Sequence, residues 1–139
     1  MNLKIKKLNE NAQTPTRAHE SDAGLDLYAT SRQQCDGLWV YGTGIAVEIP
    51  EGYVGLLCQR SSVYKYDLML SNAVGVIDAG YRGEILFKFR PTRTIPKVYN
   101  VGERIGQLVI VKMHQLTPEI VDELPPSDRG QGGYGSSGK

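Results

Sequence analysis

The sequence predicts an all-β domain, a jelly-roll-like barrel or sandwich, on three observations. Apolar and polar residues alternate with a period of two over short stretches, as at Ile45, Val47 and Ile49 or at Ile85, Phe87 and Phe89. The 16 glycines and 7 prolines are spread along the chain and punctuate those stretches with turns. No segment carries a long 3.6-residue period, and no internal repeat appears.

Taken in order, residues 3–8 alternate apolar and basic side chains, the pattern of an edge strand. Residues 9–22 are polar, broken by Pro15, and read as loop. Residues 23–29 fit a strand with Leu25 and Leu27 on one face and Asp26 and Tyr28 on the other. Asp26 is either a solvated strand carboxylate or a charge held near a ligand; Asp is disfavoured in strands, which adds weight to the second reading. Residues 38–41 make a short strand around Trp39, followed by a turn at Gly42-Thr43-Gly44. The strands at 45–49 and 53–58 are joined through Pro50-Glu51-Gly52, which predicts a hairpin.

Arg60, Ser61 and Ser62 close that strand. Arg60 can fork two donors onto phosphate oxygens, and the serines add hydroxyls and backbone N–H groups. Residues 63–66 fit one helical turn capped by Ser61 or Ser62, a role compatible with anion binding. Residues 72–89 read as strand, tight turn at Asp78-Ala79-Gly80, strand. Asp78 and Tyr81 then share a rigid hairpin tip, either as a turn residue and a core cover or as a base and a stacking ring for a small ligand.

Residues 91–100 are polar with two prolines, a long turn. Residues 104–111 form a buried strand with one amide, Gln107, which either bonds backbone or faces a ligand, since an unpaired buried amide costs about 1–3 kcal/mol. Residues 116–126 run extended, along a neighbour. The last stretch, 128–139, has no apolar periodicity and cannot bury itself, so it is expected to be mobile. It is either a linker or an anion-closing segment, with Arg129, Tyr134, Ser136, Ser137 and close-approaching glycines.

At 139 residues the chain suits one domain, with residues 1–127 as the β domain and 128–139 as the appended segment. Lys and Arg total 16 against 15 Asp and Glu, so net charge is +1 and no basic excess favours general DNA binding. No apolar run approaches a membrane span and no secretory signal is expected at the start, which points to the cytoplasm. Cys35 and Cys58 read as free thiols, and His19 and His114 lack partners at metal spacing.

Five separated motifs, in this order, resemble the trimeric dUTPase family, the deoxyuridine triphosphate nucleotidohydrolases. They are the stretch 23–29, Arg60-Ser61-Ser62, the stretch 75–83, the stretch 104–108, and the glycine-rich 129–138. The resemblance implies a jelly roll that assembles as a homotrimer, with sites shared between subunits and the tail of one closing a site built by others. It implies hydrolysis of dUTP to dUMP and pyrophosphate with Mg²⁺, a reaction that keeps uracil out of DNA. Asp78 matches the base that activates water for attack on the α-phosphorus, and Tyr81 the ring that packs on the deoxyribose. Asn72, the backbone at Gly75, Val76 and Ile77, and the strand near Leu86 match the uracil contacts. Arg60, Ser61, Ser62 and Gln107 match phosphate contacts, and Asp26 the carboxylate that holds Mg²⁺ through water. Arg129, Tyr134, Gly135, Ser136 and Ser137 match the lid.

Three positions depart from the family pattern. Gln59 stands where Pro usually precedes the Arg-Ser pair, Tyr134 where Phe is usual, and Gln131 where Thr or an acid is common. A dCTP deaminase, which shares the fold, would carry its deaminating Glu at the place of Lys88. The remaining rival is a non-catalytic regulator that binds dUTP or a partner protein.

Overall fold

The computed structural model of the protein describes residues 1–138, in which ten strands form three antiparallel sheets. Strand β1 (Lys4–Lys7) pairs with β5 (Ile45–Glu48) as a ribbon. One four-stranded sheet runs β2 (Gly24–Tyr28), β10 (Arg104–Lys112), β6 (Tyr53–Cys58), β8 (Gly75–Ile77). The other runs β3 (Ser31–Cys35), β4 (Leu38–Gly42), β9 (Leu86–Pro91), β7 (Leu68–Leu70). A 3₁₀ turn at Ser61–Lys65 links β6 to β7.

Period-two alternation sets the core. Leu27, Leu57 and Leu108 face inward from one sheet, and Tyr41, Phe87, Phe89 and Leu70 from the other. Ile45 and Val47 of the ribbon and Tyr99 of the 92–103 connection complete the cluster. Each large apolar side chain removed from water contributes about 1.5–3 kcal/mol before entropy is charged against it. The packing is close enough to dictate Gly106: a Cβ there would lie 2.1 Å from Cε1 of Phe87. The glycine falls where β10 shifts register against β2, and Phe87 occupies the space.

The jelly-roll expectation holds, and several local expectations are corrected. The 72–89 stretch is not a hairpin. Strand β8 pairs with β6, whereas β9 pairs with β4 and β7, so the Asp78 turn carries the chain from one sheet to the other. Likewise β5 pairs with β1 and β6 with β10 and β8, so 45–58 is a sheet crossing rather than a hairpin. Alternation reports which face a strand buries, not which strand lies beside it. The 3₁₀ turn is capped by Arg60, with no side-chain cap bond, and both serines lie inside it. Strands β3 and β7 are additional to the sequence reading. Residues 128–138 form a succession of turns that is exposed almost throughout, and Lys139, the end of the expected lid, lies outside the described residues.

Candidate active site

The two large sheets diverge between β8 and β9, and this opens a slot. β8 is the last strand of its sheet, and β7 pairs with β9 only from Phe89 to Pro91. The edges of β8 and of β9 near Leu86 therefore face each other without a ladder between them. A cavity of about 200 Å³ is lined by Val76, Ile77, Asp78, Tyr81, Glu84 and Leu86. A second, of about 330 Å³, continues past Leu86 to Leu57, Leu70, Ser71, Asn72 and Lys88. Asn72, Ile77, Asp78, Tyr81 and Leu86, expected from sequence, thus come together, and Gly75 is buried against Leu57 beside Asn72. Glu84, Ser71 and Lys88 are additional wall residues. Glu84 sits within the 72–89 stretch, where a carboxylate two residues from the next strand was the available signal.

The mouth of the slot is fixed by short-range bonds. The Tyr81 N–H donates to the Asp78 carbonyl at 3.0 Å, closing the turn. The Arg82 guanidinium donates to the carbonyls of Ala79 at 2.6 Å and Tyr81 at 2.9 Å. The Tyr81 hydroxyl donates to the Glu84 carbonyl at 3.0 Å, so the ring lies over Gly83, where a Cβ would meet the hydroxyl at 2.3 Å. From behind, the Gly44 N–H donates to the Glu84 carboxylate at 2.8 Å and the Thr43 hydroxyl to the Ile85 carbonyl at 2.7 Å. Asp78 itself is exposed, and among the described residues its carboxylate makes no hydrogen bond or ion pair. Its acceptor oxygens are available to a ligand or to water.

A second cluster forms at the other end of the β2-β10-β6-β8 sheet. Gln107 lies directly opposite both Asp26 on β2 and Cys58 on β6, so all three project from the outer face. Asp26 accepts from Arg60 Nε at 3.2 Å and from Arg104 Nη1 at 3.1 Å. Arg60 also donates to the Ser62 hydroxyl at 3.2 Å, while Ser61 is exposed beside it. Gln107 Nε2 donates to the Gln59 carbonyl at 3.1 Å and keeps a second N–H. Tyr66 and Tyr99, behind Arg60, remain neutral. Burial and Glu103 raise the Tyr66 pKa, and burial pushes Tyr99 up to about 12. Tyr66 can therefore donate to Glu103, at 2.9 Å. The Asp26–Arg104 pair was not foreseen, although Arg104 lies in a motif singled out from sequence.

The structure does not bring the two clusters to one place within a chain. Ile77 stands opposite Gly55, so Asp78 lies level with Val54. About 13 Å of strand separates that level from Cys58, and Arg60 lies further on. The tail residues Arg129, Tyr134, Gly135, Ser136 and Ser137 join neither cluster. Among the described residues the Arg129 side chain donates only to the Gly132 carbonyl, at 2.8 Å, and Tyr134 is fully exposed.

A jelly roll with an open slot between diverging sheets fits a class, the nucleotide-processing jelly rolls, whose fold dUTPases and dCTP deaminases share. Within it, the dUTPase profile matches residues 10–138, and the chain belongs to the dUTPase family. It is similar to the deoxyuridine 5′-triphosphate nucleotidohydrolase of Corynebacterium glutamicum, 43% identical over 99% of this chain and 95% of the relative. It is also similar to the Staphylococcus bacteriophage 80alpha dUTPase solved with dUPNHPP, at TM-score 0.86 and 33% identity over 99% of each chain. A mutant dUTPase from phage phi11 of S. aureus, described as revealing the coordination of a structural Mg(II) ion, matches at TM-score 0.75 and 31% identity over 88% of this chain and 98% of that one.

Proposed function

We propose that the protein hydrolyses dUTP at a site completed between copies of the chain, with Asp78 as general base. The observation that carries this reading is the unpaired Asp78 carboxylate at the mouth of a slot walled by two unpaired strand edges. A uracil entering the slot takes the place of a strand, exchanging hydrogen bonds with backbone groups of β8 and β9 that otherwise have none. Asn72 adds a side-chain contact. The Tyr81 ring, held over Gly83, packs on the deoxyribose and leaves no room for a 2′-hydroxyl. A water bonded to Asp78 loses its proton to the carboxylate as its oxygen attacks the α-phosphorus. The bond from that phosphorus to the bridging oxygen breaks, and pyrophosphate leaves. Arg60, Ser61, Ser62 and Gln107 hold the phosphates, and Asp26 aims Arg60.

Asp26 also suits Mg²⁺ held through water. Its carboxylate has about four lone-pair sites, of which Arg60 and Arg104 use two. Magnesium bound by one carboxylate, its own waters and substrate phosphates needs no dedicated cage, and among the described residues no group of three His, Cys, Asp or Glu offers one. Such an ion would neutralise charge on the triphosphate.

On this reading the phosphate cluster facing a given slot comes from another copy, since the register of β6 and β8 sets Asp78 and Arg60 of one chain well apart. Two exposed apolar surfaces support a homotrimer. On the outer face of the β2-β10-β6-β8 sheet, Val76 and Val111 are exposed beside the partly buried Leu56 and Val109. Residues 113–127 carry Leu116, Ile120 and Leu124 fully or largely exposed, as an arm along a neighbour would. Light scattering should give three times the chain mass; an active monomer would overturn the shared site. Among the described residues no helix is long and apolar enough to cross a membrane.

The direct test is pyrophosphate release from dUTP, dCTP, dTTP and UTP with Mg²⁺. Release from dUTP alone is expected. Binding of dUTP without release would favour the regulator, and ammonia from dCTP the deaminase, whose Glu is replaced here by Lys88 on the slot wall.

A further inference from the structure

At Leu70, strand β7 carries a backbone donor outside its ladder to β9. Met69 pairs with Arg90, and the Ser71 N–H donates to the Lys88 carbonyl at 2.8 Å, so the intervening Leu70 N–H points away from β9. Leu70 is buried, at 3% exposure, and water cannot satisfy that group. The Gln59 side-chain oxygen accepts from it at 2.9 Å. The Gln59 main-chain oxygen meanwhile accepts from Gln107 Nε2, and Gln107 is wedged so closely against Gly24 that a Cβ there would lie 2.1 Å from its Oε1. One residue therefore joins β6, β7 and β10. On one side of it stands Arg60. On the other, Leu70, Ser71 and Asn72 form the inner wall of the slot.

We propose that Gln59 is a positioning residue that fixes the inner wall of the base slot and thereby sets base discrimination; this rests on the reading of the slot as the uracil site. The clamp departs from the usual family pattern, because a proline has no side-chain acceptor to offer Leu70. A wall contact acts equally on bound substrate and transition state, so its loss should appear in KM rather than kcat.

The test compares Gln59→Met, which keeps the reach and removes the acceptor, with Gln59→Glu, which restores one. In the Met variant the Leu70 amide should lose hydrogen-exchange protection. KM for dUTP should rise about tenfold with kcat within about twofold, and the preference for dUTP over dCTP should fall about tenfold. Sedimentation and Tm show that the assembly is intact. The Glu variant should recover both Leu70 protection and discrimination. Lost protection with unchanged KM and discrimination would reduce Gln59 to packing, and retained protection in the Met variant would show that the bond is not what holds the wall. Wild-type enzyme in the same assay separates the two readings: no pyrophosphate from dUTP sinks the slot assignment, whereas an active wild type with an unchanged Met variant sinks Gln59 alone.

Discussion

Replacing Asp78 by Asn should leave dUTP bound and lower kcat by about 10²–10⁴-fold, the range that a positioned general base supplies. The substitution keeps shape and hydrogen-bonding reach but removes the group that takes the proton from water. It also removes a negative charge close to a triphosphate, so affinity should hold or improve. Stability should not change, because the Asp78 side chain bonds to nothing else among the described residues and only its backbone closes the turn. Single-turnover pyrophosphate release, equilibrium binding of dUTP and a thermal melt report these three quantities separately. Near-normal turnover in a variant that folds and binds would refute the base assignment.

The parts of this site differ in how far the sequence discloses them. The inward faces were legible wherever one side of a strand is buried, as at Ile85, Phe87 and Phe89, because burial imposes the period. Strand β3 was not legible. Its residues Ser31–Cys35 are all exposed, and the backbone ladder to β4 holds them rather than any apolar face. Its one signal was Asp36-Gly37, where both residues take positive φ, at 51° and 75°, as a tight hairpin turn demands. Strand β7, at three residues, is shorter than any period can reveal. Strand partners were the larger loss. Reading 72–89 as a hairpin placed Asp78 and Tyr81 correctly at a tip but hid the slot, which exists only because β8 and β9 belong to different sheets. The motif order nominated the residues. The register of β6 against β8 then separated them into two clusters at opposite ends of one sheet, a division that no linear motif contains.

Deleting residues 129–139 should leave the fold and Tm intact and reduce kcat by about 10²-fold or more, in line with losing preorganised donors from a charged transition state. The fold should not notice, because the segment adds nothing to the core and Tyr134 is fully exposed. Activity should notice, because the segment holds a ring, a guanidinium, two hydroxyls and several glycine N–H groups whose hydrogen bonds among the described residues are all local, within residues 127–138. A truncated enzyme of normal kcat would make it only a linker. Mixing sharpens the test. If the lid and Asp78 of one site come from different chains, refolding the truncated chain together with the Asp78→Asn chain puts an intact lid beside an intact base in about a quarter of the sites of a randomly mixed trimer. Two nearly inactive proteins would then yield a measurably active mixture. Should each chain close its own slot, no combination could restore a complete site, and the mixture would stay as inactive as its parts.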